Sequence, residues 1–147
     1  MGHAIDSLCV IGHPSRVGGA DTELDHQIHC WQQMGIEVHI CHTGSMDSNL
    51  KAMRLEERGC IYHAPRDWGS LDGMHCISFC NGEFLKDLPT IRKYARTTTF
   101  VNCMTWNFDR ELEMQAAGNI DFHLYQTDHA MERVGARLKS LGKYRPL

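Results

Sequence analysis

The sequence predicts an α/β protein, a three-layer sandwich in which helices cover both faces of a mainly parallel sheet of about six strands. Apolar runs of strand length recur at residues 8–11, 37–42, 59–63, 76–80, 97–104 and 121–126. Helix-length segments or loops separate most of these runs. Alternation at this spacing is typical of βαβ units, whose strands lie parallel in one Rossmann-like sheet.

The first strand and helix follow from a change of pattern near the amino terminus. Residues 8–11 form a continuous apolar run, as expected for a strand that is buried on both faces. The next segment has apolar residues at helical spacing, namely Leu24, Ile28 and Trp31. Asp21 or Thr22 is expected to cap this helix, and Gly35 to end it.

The next elements follow from capping residues and glycines. A second helix is expected over residues 46–58, with Asp47 or Ser48 as its cap and Gly59 at its end. Residues 64–70 have the composition of a surface loop.

In the second half of the chain, Asn81-Gly82 ends the fourth strand, and Pro89 lies within or near the start of the next helix. Residues 97–103 are rich in β-branched side chains, which favour a strand. Two further helices are expected over 109–115 and 128–141.

Length and composition limit the possible classes of protein. The 147 residues suit one domain, expected over residues 1–142, with residues 143–147 as a linker-like tail. The formal charge of −3 and the lack of a Lys/Arg cluster argue against nucleic-acid binding, which needs a basic face. No apolar run approaches the length of a membrane span, and residues 1–6 lack the features of a secretion signal. A cytoplasmic protein is therefore expected.

The cysteines and histidines give little sign of a metal site. The seven cysteines lie mostly within or beside apolar runs, as buried thiols of a reducing compartment would. His26 and Cys30 are four residues apart and could share a helix face, but this pair alone is a poor zinc signature. We expect no bound metal and no cofactor.

The turn after the first strand is the most informative segment of the chain. Gly18 and Gly19 can adopt backbone angles closed to other residues, and they leave room for a ligand. The free N–H groups of the next helix would face whatever lies above the strand, which suits a sugar or a phosphate. Two glycines after a strand are also common in doubly wound domains without this role.

This turn and the second strand resemble the start of the N-terminal domain of GT-B glycosyltransferases of the family-4 type. In that family a strand, Pro-x-x-Gly-Gly-Ala-Glu, a helix and Gly-His-Glu-Val follow one another. The residues that match here are Pro14, Gly18, Gly19, Ala20, Gly35, Glu37 and Val38, with one extra residue in the spacer. Asp21 stands where Glu is usual, and Ile36 replaces His.

The resemblance implies the acceptor side of sugar transfer from a nucleotide-sugar donor to a small-molecule sugar acceptor, without an essential metal. In that family a second Rossmann-like domain follows and carries the nucleotide-sugar site. The chain is therefore expected to be one half of such an enzyme, truncated or naturally short, with a second domain or subunit as partner. By itself it should have little transferase activity.

Candidate binding residues lie directly after the strands, because ligands of open parallel sheets bind beyond the carboxyl ends of the strands. His13 is the candidate general base, although a loop histidine bonded to backbone is the alternative. Arg16 could contact phosphate or be solvated. Gly18, Gly19 and Asn81 would line the acceptor site, and Trp68 or Trp106 could lie beneath a sugar ring or serve packing.

Two other functional classes stay open. The chain could be a stand-alone Rossmann-like module that binds a nucleotide or saccharide, or docks on another subunit; an exposed apolar patch would favour it. It could also be a small one-domain enzyme that uses His13 or Cys80.

Overall fold

The computed structural model describes residues 5–102, 108–129 and 131–133. Its six strands are β1 (Ser7–Ile11), β2 (Glu37–Cys41), β3 (Ile61–Tyr62), β4 (His75–Phe79), β5 (Thr97–Asn102) and β6 (Phe122–Tyr125). All neighbouring strands pair in parallel, which confirms the predicted sheet. The helices are α1 (Gly19–Gln33), α2 (Ser48–Lys51), a 3-10 helix (Trp68–Leu71), α3 (Gly82–Ile91) and α4 (Phe108–Ala116).

The strand order is β3-β2-β1-β4-β5-β6. The chain therefore proceeds outward from β1 to β3, then returns to the other side of β1 and proceeds outward again. The order reverses between β1 and β4, the place where the crossover loops diverge and leave a crevice above the sheet. The predicted Rossmann-like α/β fold is thus confirmed.

Two apolar clusters, one on each face of the sheet, form the core. Alternate residues of β1 contribute to opposite clusters, because successive side chains of a strand point to opposite faces. Leu8 and Val10 pack with Leu24 and Ile28 of α1. Cys9 and Ile11 pack with the buried face of α3, which presents Phe84, Leu85, Leu88 and Ile91. These clusters hold the carboxyl end of β1 between α1 and α3.

Several helix boundaries differ from the prediction. Gly18, with a φ of 107°, is the N-cap of α1, so neither Asp21 nor Thr22 caps it. The left-handed backbone of Gly18 starts the helix earlier, and the Thr22 hydroxyl donates to the Gly18 carbonyl 3.1 Å away. The end of α1 near Gly35 is confirmed by its φ of 79°.

The second predicted helix is much shorter than expected. Asp47 caps α2 as predicted, since its side chain accepts from the Leu50 N–H at 2.9 Å. Only residues 48–51 are helical, however, and Arg54 has a φ of 53°, which an α-helix cannot accommodate. The following turns nevertheless bury Leu55 completely.

Two other predictions fall partly outside the described residues. The β5 run was expected to reach residue 104, but the strand ends at Asn102 and residues 103–107 are not described. The final helix begins as predicted near Asp128, and its later part, like the predicted tail 143–147, lies outside the described residues. No helix in the described ranges is long and apolar enough to cross a membrane.

Candidate functional site

A cavity of about 430 Å³ lies at the reversal of strand order, and we call it the switch-point cavity. It is lined by residues that follow β1, β2 and β4, together with the first turns of α1 and α3. Its polar lining residues are His13, Asp21, His42, Asn81 and Glu83. Of the sequence-predicted site residues, the fold therefore brings together His13 and Asn81.

Gly12 lets the chain leave β1 directly beneath this cavity. Its φ is 128°, and its N–H donates to the Cys41 carbonyl at 3.0 Å, which continues the β1–β2 pairing. A Cβ atom at this position would lie 3.1 Å from Nδ2 of Asn81. The absent side chain thus allows the β1 exit and the α3 cap to approach each other.

His13 is buried, and both of its ring nitrogens have partners. Nδ1 lies 2.7 Å from the Pro14 carbonyl oxygen, and Nε2 lies 2.6 Å from the Tyr62 hydroxyl. Because a carbonyl oxygen can only accept, Nδ1 carries the hydrogen and Nε2 accepts from Tyr62. Burial lowers the pKa of His13 and raises the pKa of Tyr62 to about 12, so both groups are neutral near pH 7.

His42 lies beside His13, with the two ring centroids 6.2 Å apart. Its Nδ1 atom is buried and has no hydrogen-bond partner among the described residues. Burial, and secondly the nearby His13, lower the pKa of His42. A hydrogen on Nδ1 would be a buried donor without an acceptor, so the neutral ring carries its hydrogen on Nε2. His42 therefore offers a donor at this nitrogen.

Asn81 and Glu83 form the side of the cavity that belongs to α3. The Asn81 side chain accepts from the N–H groups of Glu83 and Phe84 at 3.0 and 3.2 Å, which caps α3. Its Nδ2 lies 3.4 Å from the Thr43 hydroxyl. Glu83 accepts from Arg66 at 2.8 Å, so its charge is already paired with a cation.

The start of α1 forms the opposite side. Asp21 lines the cavity, and its Oδ2 accepts from the Ser15 hydroxyl. Gly18 and Gly19 precede it at the helix start but do not line the cavity, and a Cβ at Gly19 would contact nothing within 4 Å. Gly18 is thus required for the backbone turn, whereas neither the backbone nor the surrounding space requires a glycine at position 19.

The remaining sequence candidates lie elsewhere. Arg16 is exposed and donates to the Ala52 carbonyl at 3.1 Å, so it does not line the cavity. Trp68 is only 8% exposed and packs in the core with Leu71, which identifies it as a packing residue rather than a sugar platform. Trp106 lies outside the described residues.

Comparison with family models, curated proteins and solved structures found no match to this chain. The functional interpretation therefore depends on the switch-point cavity and on the chemistry of its lining.

The cysteines agree only partly with the expectation of buried thiols. Cys9, Cys41, Cys60 and Cys76 are free and buried, as expected. Cys80 lines the cavity but is disulfide-bonded, so it is neither a buried thiol nor a thiolate nucleophile. Among the described residues, no group of three or more His, Cys, Asp or Glu side chains could hold a metal ion.

Tyr62 and Glu83 were not predicted as site residues, and Asp21 was expected only as a possible helix cap. Tyr62 belongs to the short edge strand β3 and meets His13 across 49 positions of the chain. No local pattern signals such a contact. Asp21 could have been predicted as a cavity residue, because it is the acidic residue in the first turn of a helix that starts at the binding edge of the sheet.

Proposed function

We propose that this chain binds a saccharide in the switch-point cavity and serves as the acceptor-side domain of a glycosyltransferase of the GT-B type. The observation that carries the proposal is the position of a polar cavity at the reversal of a parallel sheet with the order β3-β2-β1-β4-β5-β6. Ligands of open α/β sheets bind at this place.

The lining of the cavity supports a ligand rich in hydroxyl groups. His42 and Asn81 offer N–H donors, and Asp21 offers a carboxylate acceptor. A hydroxyl group both donates and accepts, so several hydroxyls can satisfy such a mixed lining. Polar groups of this kind, few in number and fixed in orientation, give a binding site its specificity.

The same lining disfavours a phosphate group, which supports an acceptor role rather than a nucleotide role. Within the described part of the chain no Lys or Arg lines the cavity, and both histidines have lowered pKa values that keep them neutral at pH 7. Arg16 contacts Ala52 instead. The nucleotide-sugar would therefore need cations from a second Rossmann-like domain or subunit.

The proposed base role of His13 carries a condition. Since Nδ1 donates to Pro14 and Nε2 accepts from Tyr62, His13 could take a proton only after the Tyr62 hydroxyl moves away. In the arrangement described, His13 fixes the wall of the cavity and the position of Tyr62.

Titration of the isotope-labelled chain, followed by amide NMR, tests the proposal. The probes are glucose, mannose, galactose and N-acetylglucosamine, compared with uridine and guanosine diphosphates. We expect saturable shifts at Gly12, Asp21, His42 and Asn81 with at least one sugar, and weaker or no shifts there with the nucleotides. Nucleotide binding in this cavity without any sugar binding would contradict the proposal, as would ordinary transferase rates from the isolated chain.

A docking module is the second candidate, and a specific observation favours it. Phe122 and Leu124 of the edge strand β6 are 57% and 49% exposed, and they line an open apolar surface together with Thr99 of β5. Parallel sheets are usually covered on both faces, so a partner could pack here. Stable co-purification with a second Rossmann-like chain, together with no response to sugars, would favour this function over the first.

A further inference from the structure

Among the described residues, Asp21 is the carboxylate of the switch-point cavity that is not paired with a cation, and only one of its two oxygens accepts a hydrogen bond. The other lining groups divide into those that are occupied and those that only donate. The remaining acceptor decides which ligand hydroxyl the cavity can hold.

The two histidines have no accessible acceptor nitrogen. In His13, Nε2 already accepts from the Tyr62 hydroxyl at 2.6 Å, and Nδ1 carries a hydrogen. In His42, the nitrogen without hydrogen is Nδ1, which is buried away from the cavity solvent. Neither ring can therefore accept from a ligand hydroxyl without a rearrangement.

The cavity residues at the start of α3 also have hydrogen-bond or ion-pair partners. Oδ1 of Asn81 accepts from two backbone N–H groups, so Asn81 presents chiefly its Nδ2 donor. Glu83 is paired with cations through one oxygen: its Oε2 binds Arg66 at 2.8 Å and lies 3.9 Å from Lys86, which offsets its charge. A ligand hydroxyl at Glu83 would compete with these cations.

Asp21 differs from the other lining groups because it is a carboxylate with no cation partner among the described residues. Ser15 donates to Oδ2 and thereby fixes the orientation of the carboxylate, whereas no described residue donates to Oδ1. Asp21 also lies in the first turn of α1, whose N-cap Gly18 supplies no side-chain cap. The unpaired N–H groups of that turn stabilise a negative charge there.

We propose that Asp21 is the specificity-determining residue of the cavity: its Oδ1 accepts a hydrogen bond from a hydroxyl of a neutral saccharide, and its charge excludes phosphorylated sugars. This inference rests on the proposed function, because it assumes that the cavity binds a sugar. It adds the substrate class, a neutral rather than an anionic saccharide, and the residue that selects it. Ser15 acts through Asp21 as a positioning residue.

The test measures affinities of the full chain and its variants for glucose, mannose, galactose and N-acetylglucosamine, and for glucose 6-phosphate and mannose 6-phosphate. Asp21→Asn keeps the size of the side chain and can still accept from Ser15, but it removes the charge. We expect about tenfold weaker binding of the neutral sugar, because hydrogen bonds to charged acceptors are the stronger ones. Binding of the corresponding phosphate should become tighter.

Glu23→Gln is the matched control, since it removes the same charge from the same helix at a residue that does not line the cavity. It should leave the affinities unchanged. Ser15→Ala should weaken neutral-sugar binding by less than Asp21→Asn does, and it serves as the second variant if Asp21→Asn does not fold. Thermal unfolding confirms that each variant is folded.

The failure of this inference can be told apart from the failure of the proposed function. If the natural chain binds none of the sugars, the proposed function and this inference are both wrong. If the natural chain binds a sugar, but Asp21→Asn binds it equally well and still excludes the phosphates, only the role of Asp21 is wrong. Equal losses in Asp21→Asn and Glu23→Gln would likewise overturn it, because they would indicate a general charge effect.

Discussion

Gly12, at the exit of β1, is the position where one added methyl group should disturb both the backbone and the cavity. Its φ of 128° lies in a region that L-residues rarely adopt. The added Cβ of Gly12→Ala would lie 3.1 Å from Nδ2 of Asn81, closer than most Cβ contacts. The substitution therefore acts on two elements, the end of β1 and the cap of α3.

The expected magnitude follows from these two effects. Holding alanine at a sparsely populated φ costs about 1–3 kcal/mol. Displacing Asn81 weakens the two cap bonds at 3.0 and 3.2 Å, and a complete loss of such a cap costs about 1 kcal/mol. We expect Gly12→Ala to lower the free energy of unfolding by about 2–4 kcal/mol, a large part of the stability of a domain of this size.

Urea unfolding followed by circular dichroism measures this loss. Gly82→Ala is the matched control, because Gly82 follows Asn81, its φ is not in the left-handed region and its Cβ would meet nothing within 4 Å. It should change the stability by less than about 1 kcal/mol, in the stabilising direction. A loss below about 0.5 kcal/mol in Gly12→Ala would refute the reasoning. Gly12→Ala should also cost less in an Asn81→Ala background, where the contact is absent.

Further predictions concern protonation and packing. Burial lowers the pKa of His13, His42 and His63 below the ordinary 6.5, so the folded chain binds fewer protons than the unfolded chain in mildly acidic solution. The free energy of unfolding should be highest above pH 6.5 and should fall as the pH drops below that value. Urea unfolding of His13→Gln and of His42→Gln should show a weaker dependence of this free energy on pH. An unchanged pH dependence in the variant that carries both substitutions would contradict this explanation. Trp68→Ala should lower the free energy of unfolding by about 3–5 kcal/mol, as the loss of a core aromatic side chain does. Reduced sugar binding with unchanged thermal stability would instead indicate that Trp68 lies beneath a sugar ring.

Residues at the strand ends show which parts of the site could be predicted. His13 and Asn81 were assigned to the binding edge because each follows a strand of a parallel sheet, and both line the cavity. Gly18 and Arg16 were assigned by the same rule but do not reach it. The rule gives the edge of the sheet at which a residue lies, and not the direction in which its side chain points.

The helix boundaries give a second example. The cap of α2 by Asp47 and the end of α1 near Gly35 depend on neighbouring residues and were predicted. The N-cap of α1 at Gly18 was missed because Asp is a common cap residue. The Asp21 side chain instead accepts a hydrogen bond from Ser15 and lines the cavity. The contact with Ser15, six residues earlier in the chain, thus takes the place of a helix cap at the carboxylate that the proposed specificity requires.

The sequence by itself determined the parallel α/β sheet, because strand length, helical spacing and breakers are patterns confined to about ten neighbouring residues. Only the tertiary structure decided that Tyr62 occupies the free nitrogen of His13, that Trp68 is buried and that Asp21 faces a cavity. Each of these depends on which strands and helices become neighbours. The reversal of strand order at β1 and β4 sets those neighbours, and it brings together residues that are far apart in the chain.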